Sequence, residues 1–466
     1  MITAPAVHSH RRRSLVLPLL LSIPAPVVLI PFSRLIALSL ATLLVAALPA
    51  AAVPPCSGAG TGWCNARRVA GDVANGELGF RFGEPLDADG DGRADIAAGS
   101  RWKLKDDVYQ NGVATIWSGA TGAKIREWDG TINEGMFGHS VVPIPDLDGD
   151  GLADVVIAAP TAKQNDVLHG VVSAHSPKSG KTLWQKTAVR EENLGWDMAL
   201  AGDQNGDGAV DVFVGSPANS GGRVYLLSGK DGSVLRMYAP EVPRWTFGWY
   251  VARTDDFDAD GHPDLVVGAM QGESEGDTHG AVFLLSTNTG ALLRRWDSTD
   301  PVSGFGEMVT SMGDLDGDGR TEIAIASSYS ADDSRSKPGE VQVFSGVTGK
   351  ELRHWTGTQA GEYYGRMITS AGDINGDGVD DLAVGAPWHK AGDADKVGRV
   401  DIRSGKTGEA LAEWTGDGAG SWFGWNIRRA PDPEGKKRPA LLIDSLRQPM
   451  AGKDGVGVID WYVMQR

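Results

Sequence analysis

One nine-residue stretch recurs along this chain at a near-constant interval, and that recurrence narrows the possible folds more than any other feature. It begins at Asp87 (DADGDGRAD), Asp146 (DLDGDGLAD), Asp203 (DQNGDGAVD), Asp256 (DFDADGHPD), Asp314 (DLDGDGRTE) and Asp373 (DINGDGVDD), with starts 53 to 59 residues apart. An eroded seventh copy begins at Asp432, where DPEGKKRPA keeps Glu434 at position 3 but has Lys436 at position 5 and Ala440 at position 9. A period of this length marks an array of like units, each of which buries its apolar face only against its neighbours.

Other features keep the same register. Nine residues before each loop stands an aromatic residue or Leu followed by Gly: Leu78-Gly79, Phe137-Gly138, Leu194-Gly195, Phe247-Gly248, Phe305-Gly306, Tyr364-Gly365 and Phe423-Gly424. After each loop comes a β-branched or otherwise apolar run, ending in VGSP at 214–217 and VGAP at 384–387. A third apolar run and a Gly-containing turn follow. A fourth run ends in Trp128, Trp184, Tyr238, Trp296, Trp355 or Trp414. Four short strands per unit and seven units predict an all-β fold: a seven-bladed β-propeller of four-stranded antiparallel blades. The seventh unit stops after its third strand, GVGVIDWYV at 455–463. NARRV at 65–69 lies at the offset of a fourth strand from the first unit, so residues 66–70 are expected to complete the last blade and close the ring, leaving no free sheet edge there.

Within the repeated loop the acids fall at positions 1, 3, 5 and 9, with Gly between them where the chain turns sharply. Crowded carboxylates in a Gly-bent loop suit a hard, oxygen-loving cation such as Ca²⁺. The alternative is a solvated Asp/Gly turn with no ion. An EF-hand is excluded, because its position 12 requires Glu and the second copy has Ile157 there, between strand-like flanks.

The net charge of −16 is concentrated in these loops, so it implies no long-range field for a basic partner. No basic cluster suggests nucleic acid. Residues 1–52 carry Arg11, Arg12, Arg13 and Arg34, no acids, and two apolar runs, the second ending in Ala50-Ala51-Ala52. That pattern reads as an export leader cleaved after Ala52, giving 1–52 as leader, 53–65 as lead-in and 66–466 as propeller. A retained membrane anchor is the competing reading. Export would place the chain outside the cell, in the periplasm or on the cell surface. The two cysteines, Cys56 and Cys64, then read as a disulfide closing a short loop, with two free thiols as the alternative.

The FG pairs at 137–138, 247–248, 305–306 and 423–424, the GAP at 385–387 and the DxDxDGxxD loops resemble the FG-GAP repeat of the integrin alpha-subunit head, which also recurs in exported bacterial proteins. The resemblance covers about 66–466. It implies about six Ca²⁺ ions on one face, in the loops between the first and second strands of the blades. The ligands it implies are Asp87, Asp89, Asp91 and Asp95; Asp146, Asp148, Asp150 and Asp154; Asp203, Asn205, Asp207 and Asp211; Asp256, Asp258, Asp260 and Asp264; Asp314, Asp316, Asp318 and Glu322; and Asp373, Asn375, Asp377 and Asp381. The position-7 carbonyl joins each set. Legs, membrane span and inserted domain of integrin subunits have no counterpart in this sequence.

The face opposite the loops is the expected working face. The residue after each aromatic-Gly pair is Phe80, His139, Trp196, Trp249, Glu307, Arg366 or Trp425. Trp196, Trp249 and Trp425 share one register and could stack on a sugar or hold a cation, or simply pack between blades. In integrin heads this face resembles an aromatic cage for a partner's basic residue. Nearby variable loops add Trp102, Lys103, Lys105 and Tyr109, Tyr329, Asp332 and Asp333, and Trp388 and His389. Of these, Trp102 and Trp388 join the ligand-binding candidates. No nucleophile elbow, HExxH or phosphate loop is present, so a binding or adhesion module for a protein or glycan is expected rather than catalysis. An enzyme acting on polysaccharide and a purely structural envelope element are the alternatives.

Overall fold

Strand burial follows from position in a radial stack. In a propeller the second strand of each blade lies between two neighbouring sheets, and its sequence is apolar on both faces. DVVIAA (Asp154–Ala159), DVFVGS (Asp211–Ser216), EIAIAS (Glu322–Ser327) and DLAVGA (Asp381–Ala386) are buried at every residue. The outer strands alternate instead: in Glu351–Thr356 and Leu292–Asp297 the Trp is buried while the first and last residues are exposed. The computed structural model describes residues 63–102, 111–165, 167–190, 192–218, 221–241, 246–270, 279–300, 304–328, 336–450 and 452–464. Among them every regular element is a strand.

The strands form seven antiparallel blades in sequence order. Blade two also carries a small hairpin, Lys163–Gln164 with Val167–Leu168. Blade one is irregular on its inner side. It has three regular strands, Ile96–Ser100, Val113–Trp117 and Lys124–Asp129, and its inner segment pairs only through single bridges, Phe82 with Ala98 and Leu86 with Asp95. Gly83 and Pro85 lie within that segment, and each weakens a ladder, Pro by lacking the N–H and Gly by its chain entropy.

The repeated glycines are explained at the blade contacts. The glycine of each aromatic-Gly pair has positive φ, for example 91° at Gly195 and 79° at Gly424. In four blades its carbonyl lies against a glycine near the end of the second strand of the preceding blade, and in the others Ala158, Ala326 and Asp444 stand there. A Cβ added at Gly385 would sit 2.1 Å from the Gly424 oxygen, and one at Gly215 would sit 2.1 Å from that of Gly248. The FG of one blade and the GAP of the blade before it are thus one backbone-to-backbone contact. Gly385→Ala should therefore cost about 1–3 kcal/mol or more, read as a lower urea midpoint with an unchanged slope.

The aromatic residues that end the outer strands latch several blades to the next by a hydrogen bond, whereas Trp296 Nε1 is buried without one. Trp184 Nε1 donates to the Gly229 carbonyl at 2.6 Å, the Tyr238 hydroxyl to that of Thr287 at 2.7 Å, and Trp355 Nε1 to that of Gly408 at 2.8 Å. Each acceptor lies in the hairpin between the third and fourth strands of the following blade.

The ring closes as the sequence leads one to expect, through a clasp that begins at Trp63 rather than at residue 66. Trp63–Ala70 pairs antiparallel with Val458–Met464, with Trp63 opposite Met464 and Ala70 opposite Val458. Arg68 grips the buried Asp460 through two bonds of 2.7 and 2.8 Å, and Asn65 Nδ2 donates to the same carboxylate at 2.6 Å. Trp63 also meets Trp414, the outer aromatic of blade six, edge to face at 5.3 Å. Cys64 lies in the clasp strand; Cys56 and the leader 1–52 lie outside the described residues.

Candidate functional site

Two features stand at opposite ends of the inner strands. In blade two the strand Ser140–Ile144 begins just after Phe137-Gly138 and runs into the acidic loop at Asp146. Acidic loops therefore occupy one face of the ring, and the residues after the aromatic-Gly pairs occupy the other.

The acidic loops are built by their own backbone. Asp146 accepts from the N–H groups of Gly149 (2.7 Å), Asp150 (3.2 Å) and Gly151 (2.8 Å), and Asp150 accepts from Leu152 at 3.0 Å. The same pattern recurs at Asp314, which accepts from Asp318 (3.1 Å) and Gly319 (2.9 Å), and at Asp373. Gly208 and its neighbours hold the exposed Asp203 carboxylate below its usual pKa by the same N–H bonds. Position 9 behaves differently, because it is buried. Burial pushes Asp154 up to about 6, against the Leu147 N–H, and the charges of Asp148, Asp150 and Asp146 push the same way. Burial likewise takes Glu322 to about 7, with Asp316, Asp314 and Asp318 adding to it.

These residues fit a hard divalent cation. In four loops carboxylate oxygens converge to within 4.8 Å of one another: Asp314, Asp316, Asp318 and Glu322; Asp87, Asp89 and Asp95; Asp146, Asp148 and Asp154; and Asp256, Asp258 and Asp260. One oxygen is also left over. Oδ1 of Asp95, Asp211, Asp264 and Asp381 accepts an N–H from Gly119, Gly229, Thr287 and Gly405 respectively. The corresponding residue in blade two is Pro177, which has no N–H, and Oδ1 of Asp154 is buried without a partner. Asp150→Ala should accordingly loosen blade two alone, seen as faster amide exchange in Ser140–Ile144 and Asp154–Ala159 with the other blades unchanged.

Blade seven solves the same electrostatic problem with its own side chain. Arg438 Nε donates to Asp432 Oδ2 at 2.6 Å, and Nη2 donates to Asp432 Oδ1 and to Glu434 Oε2, both at 3.0 Å. Lys436 pairs with Glu434 at 2.6 Å. A tethered guanidinium thus stands among the carboxylates that remain in this loop.

On the other face the seven register positions meet around the channel. Ring centroids lie 4.7 Å apart for Trp196–Trp249, 4.8 Å for His139–Trp196, 4.9 Å for Phe80–His139 and 5.9 Å for Phe80–Trp425. Arg366 then lies over Trp425 at 4.1 Å and 3.8 Å from Glu307. His139 is fully buried. Burial, then the charges of Arg81, Arg101 and Arg366, holds its pKa well below the usual value, so it is neutral. The chain's own Arg366 and Arg101 already cover aromatic faces here, Arg101 lying 3.4 Å above Phe80.

Trp102 and Trp388 flank this ring. Trp102 Nε1 donates to Glu77 at 2.8 Å, and Glu77 also binds Arg101 and Arg447 at 3.2 Å each. Trp388 is joined to Trp425 through Trp422, with centroids 5.5 and 5.3 Å apart, and Tyr363 packs on Trp388 at 4.3 Å. Lys396 Nζ lies 4.3 Å over Trp388. The result is a half-buried strip, Tyr363–Trp388–Trp422–Trp425, across blades six and seven. Tyr363 and Trp422 were not selected from the sequence. Each precedes an aromatic-Gly pair and has φ of 61° and 56°, a position that blade five fills with Gly304 at 62°. Bulky aromatics at a left-handed position are the signal that could have drawn attention to them. His389 is buried, with Nδ1 2.5 Å from Glu362. Lys103, Lys105, Tyr109, Tyr329, Asp332 and Asp333 lie outside the described residues.

Comparison with known proteins agrees with this geometry. The FG-GAP repeat model matches residues 137–171 and 367–402, and the FG-GAP-like repeat model matches 203–267, 256–325 and 314–384. Integrin alpha-V of Gallus gallus is 30% identical over 216 residues, covering 43% of this chain and 20% of that protein. The chain is an FG-GAP repeat propeller of the integrin alpha N-terminal type. Integrin alpha pat-2 of Caenorhabditis briggsae (28% over 280 residues; 53% of this chain, 22% of that one) and integrin alpha-3 of Cricetulus griseus (28% over 270; 53% and 24%) are similar over a longer stretch. This FG-GAP propeller spans less than a quarter of the length of each of these relatives.

Proposed function

We propose that the protein is an exported, calcium-stabilised binding module that captures a protein or glycan through the face opposite its acidic loops. The observation that carries this reading is the half-buried aromatic strip on that face, Trp388, Trp422 and Trp425, joined through the buried Phe80 and His139 to the half-buried Trp196 and Trp249. Aromatic faces kept half-exposed beside cations suit stacking on sugar rings and contact with amphipathic side chains. The integrin-like propeller supports a ligand-binding role. The unpartnered Asp154 oxygen and the converging carboxylates support Ca²⁺ at the loops, in about six sites with the ligands enumerated above. Ca²⁺ there would neutralise the loop acids and clip the inner strand to the second. Export, the leader at 1–52 and the Cys56–Cys64 disulfide belong to the same reading, because weak loop sites of this kind suit millimolar extracellular calcium.

Trp196→Ala, Trp249→Ala, Trp425→Ala, Trp102→Ala and Trp388→Ala test it on glycan arrays and in pull-downs from extracellular material. Trp388→Ala and Trp425→Ala are expected to cut capture by at least about tenfold while the calcium-loaded protein keeps its native circular dichroism. Unchanged capture with a lower melting temperature would assign these side chains to packing alone and overturn the reading.

A further inference from the structure

The axis of the ring holds a cavity of about 540 Å³ walled by the inner strands. It reaches Asp255 and Asp380, which adjoin two acidic loops, so its mouth lies on the loop face, away from the aromatic surface. Its charges are unevenly matched. Deep in the wall Arg81 pairs with Asp197 at 2.5 Å, both buried, and lies over the Tyr250 ring at 5.2 Å. Near the mouth Asp255 accepts the Thr321 N–H at 2.9 Å and Asp380 the Ser370 hydroxyl at 2.7 Å.

Arg428 differs from these groups. Its guanidinium reaches the Tyr250 hydroxyl (3.2 Å), Met367 Sδ (3.0 Å) and its own Ile427 carbonyl (2.9 Å). Among the described residues no carboxylate lies within ion-pair distance of it, although the charge of Asp197 reaches it. Arg81, which lies over the same Tyr250 ring, has its Nε buried without an acceptor. The buried carboxylate whose charge Arg428 feels, Asp197, is already taken by Arg81, so two guanidiniums share one counter-charge, and a second carboxylate is the best-matched partner for Arg428. The hydroxyl side chains of Thr310 and Thr369 line the same wall. The volume lies within the range of small-molecule sites, about 300–1,000 Å³.

We propose that this channel binds a small hydroxylated organic anion, of sugar-acid size, with its carboxylate on Arg428 beside Tyr250 and its hydroxyls toward Thr310 and Thr369. The site is entered from the face opposite the aromatic strip and is independent of what that strip binds.

Titration calorimetry of the full chain in calcium, with D-glucuronate and D-glucose as probes, tests it. Glucuronate is expected to bind at one per chain, and glucose at least about tenfold more weakly. Arg428→Gln is expected to weaken glucuronate by at least about tenfold and Arg428→Lys by only a few-fold. If Arg428→Gln does not fold, Tyr250→Phe, which removes a single hydroxyl, is expected to weaken glucuronate while retaining the native melting profile. No heat with glucuronate overturns the proposal, as does equal binding of the two sugars. Undiminished binding by the folded variants also overturns it, because that is the result if the sugar acid merely bridges to loop cations.

Discussion

Removing residues 53–72 is expected to lower the thermal midpoint by on the order of 10 °C and to make the protein aggregate on heating. The deletion takes away the whole strand Trp63–Ala70, with the buried Trp63 and Val69, and leaves Val458–Met464 as an unpaired edge. It also strands Asp460, 1% exposed, without Arg68 or Asn65. Breaking a buried ion pair from one side costs about 3–5 kcal/mol, so Arg68→Ala alone should reproduce much of the loss. Its pH dependence has a definite sign. Burial raises the folded-state pKa of Asp460 above its ordinary value even with Arg68 and Asn65 pulling it down. A carboxyl whose folded pKa is raised favours the fold most below its unfolded value, and that contribution is lost as pH rises through the folded value. Without Arg68 the folded pKa rises further. Arg68→Ala should therefore be more destabilised at pH 7 than near pH 4.5, and denaturant melts at the two values measure the difference. A truncated ring that melts with the full chain would show that the clasp contributes nothing.

The second large effect is metal withdrawal. A chelator in excess over calcium should lower the midpoint by more than about 10 °C, because ions that bind only the folded ring stabilise it by mass action, about 1–3 kcal/mol per site at modest saturation. Blade seven should be the least affected, since Arg438 occupies its carboxylates in place of an ion. Hydrogen exchange with and without chelator resolves this by blade. Uniform loosening of all seven would contradict the role assigned to Arg438.

Much of the architecture was legible because the physics repeats. Asp at positions 1, 3, 5 and 9, the Gly that must hold positive φ and the fully apolar second strand recur at fixed offsets, so seven weak signals reinforced one another. The FG and GAP glycines were legible as motifs, but their reason lies between blades, where the Gly385 carbon meets the Gly424 oxygen. What escaped the sequence depends on single, non-repeating choices. Arg438 stands at position 7, where the loop contributes only its carbonyl, so its side chain carried no expectation. Pro177 matters because it lacks the N–H that Gly119 or Gly229 supplies elsewhere. Tyr363 and Trp422 sit where backbone strain argues for Gly. The channel is hidden most completely, because Arg81, Tyr250 and Arg428 meet only when the ring closes over nearly 350 residues of chain.

The proposed calcium binding places cations at the turns of six blades and a guanidinium at the seventh. Native mass spectrometry of the chain in a calcium titration measures this directly. It should approach six bound ions per chain and go no further. A chain that stays folded with no ions bound at millimolar calcium would contradict it, and so would a chain that takes up a seventh ion.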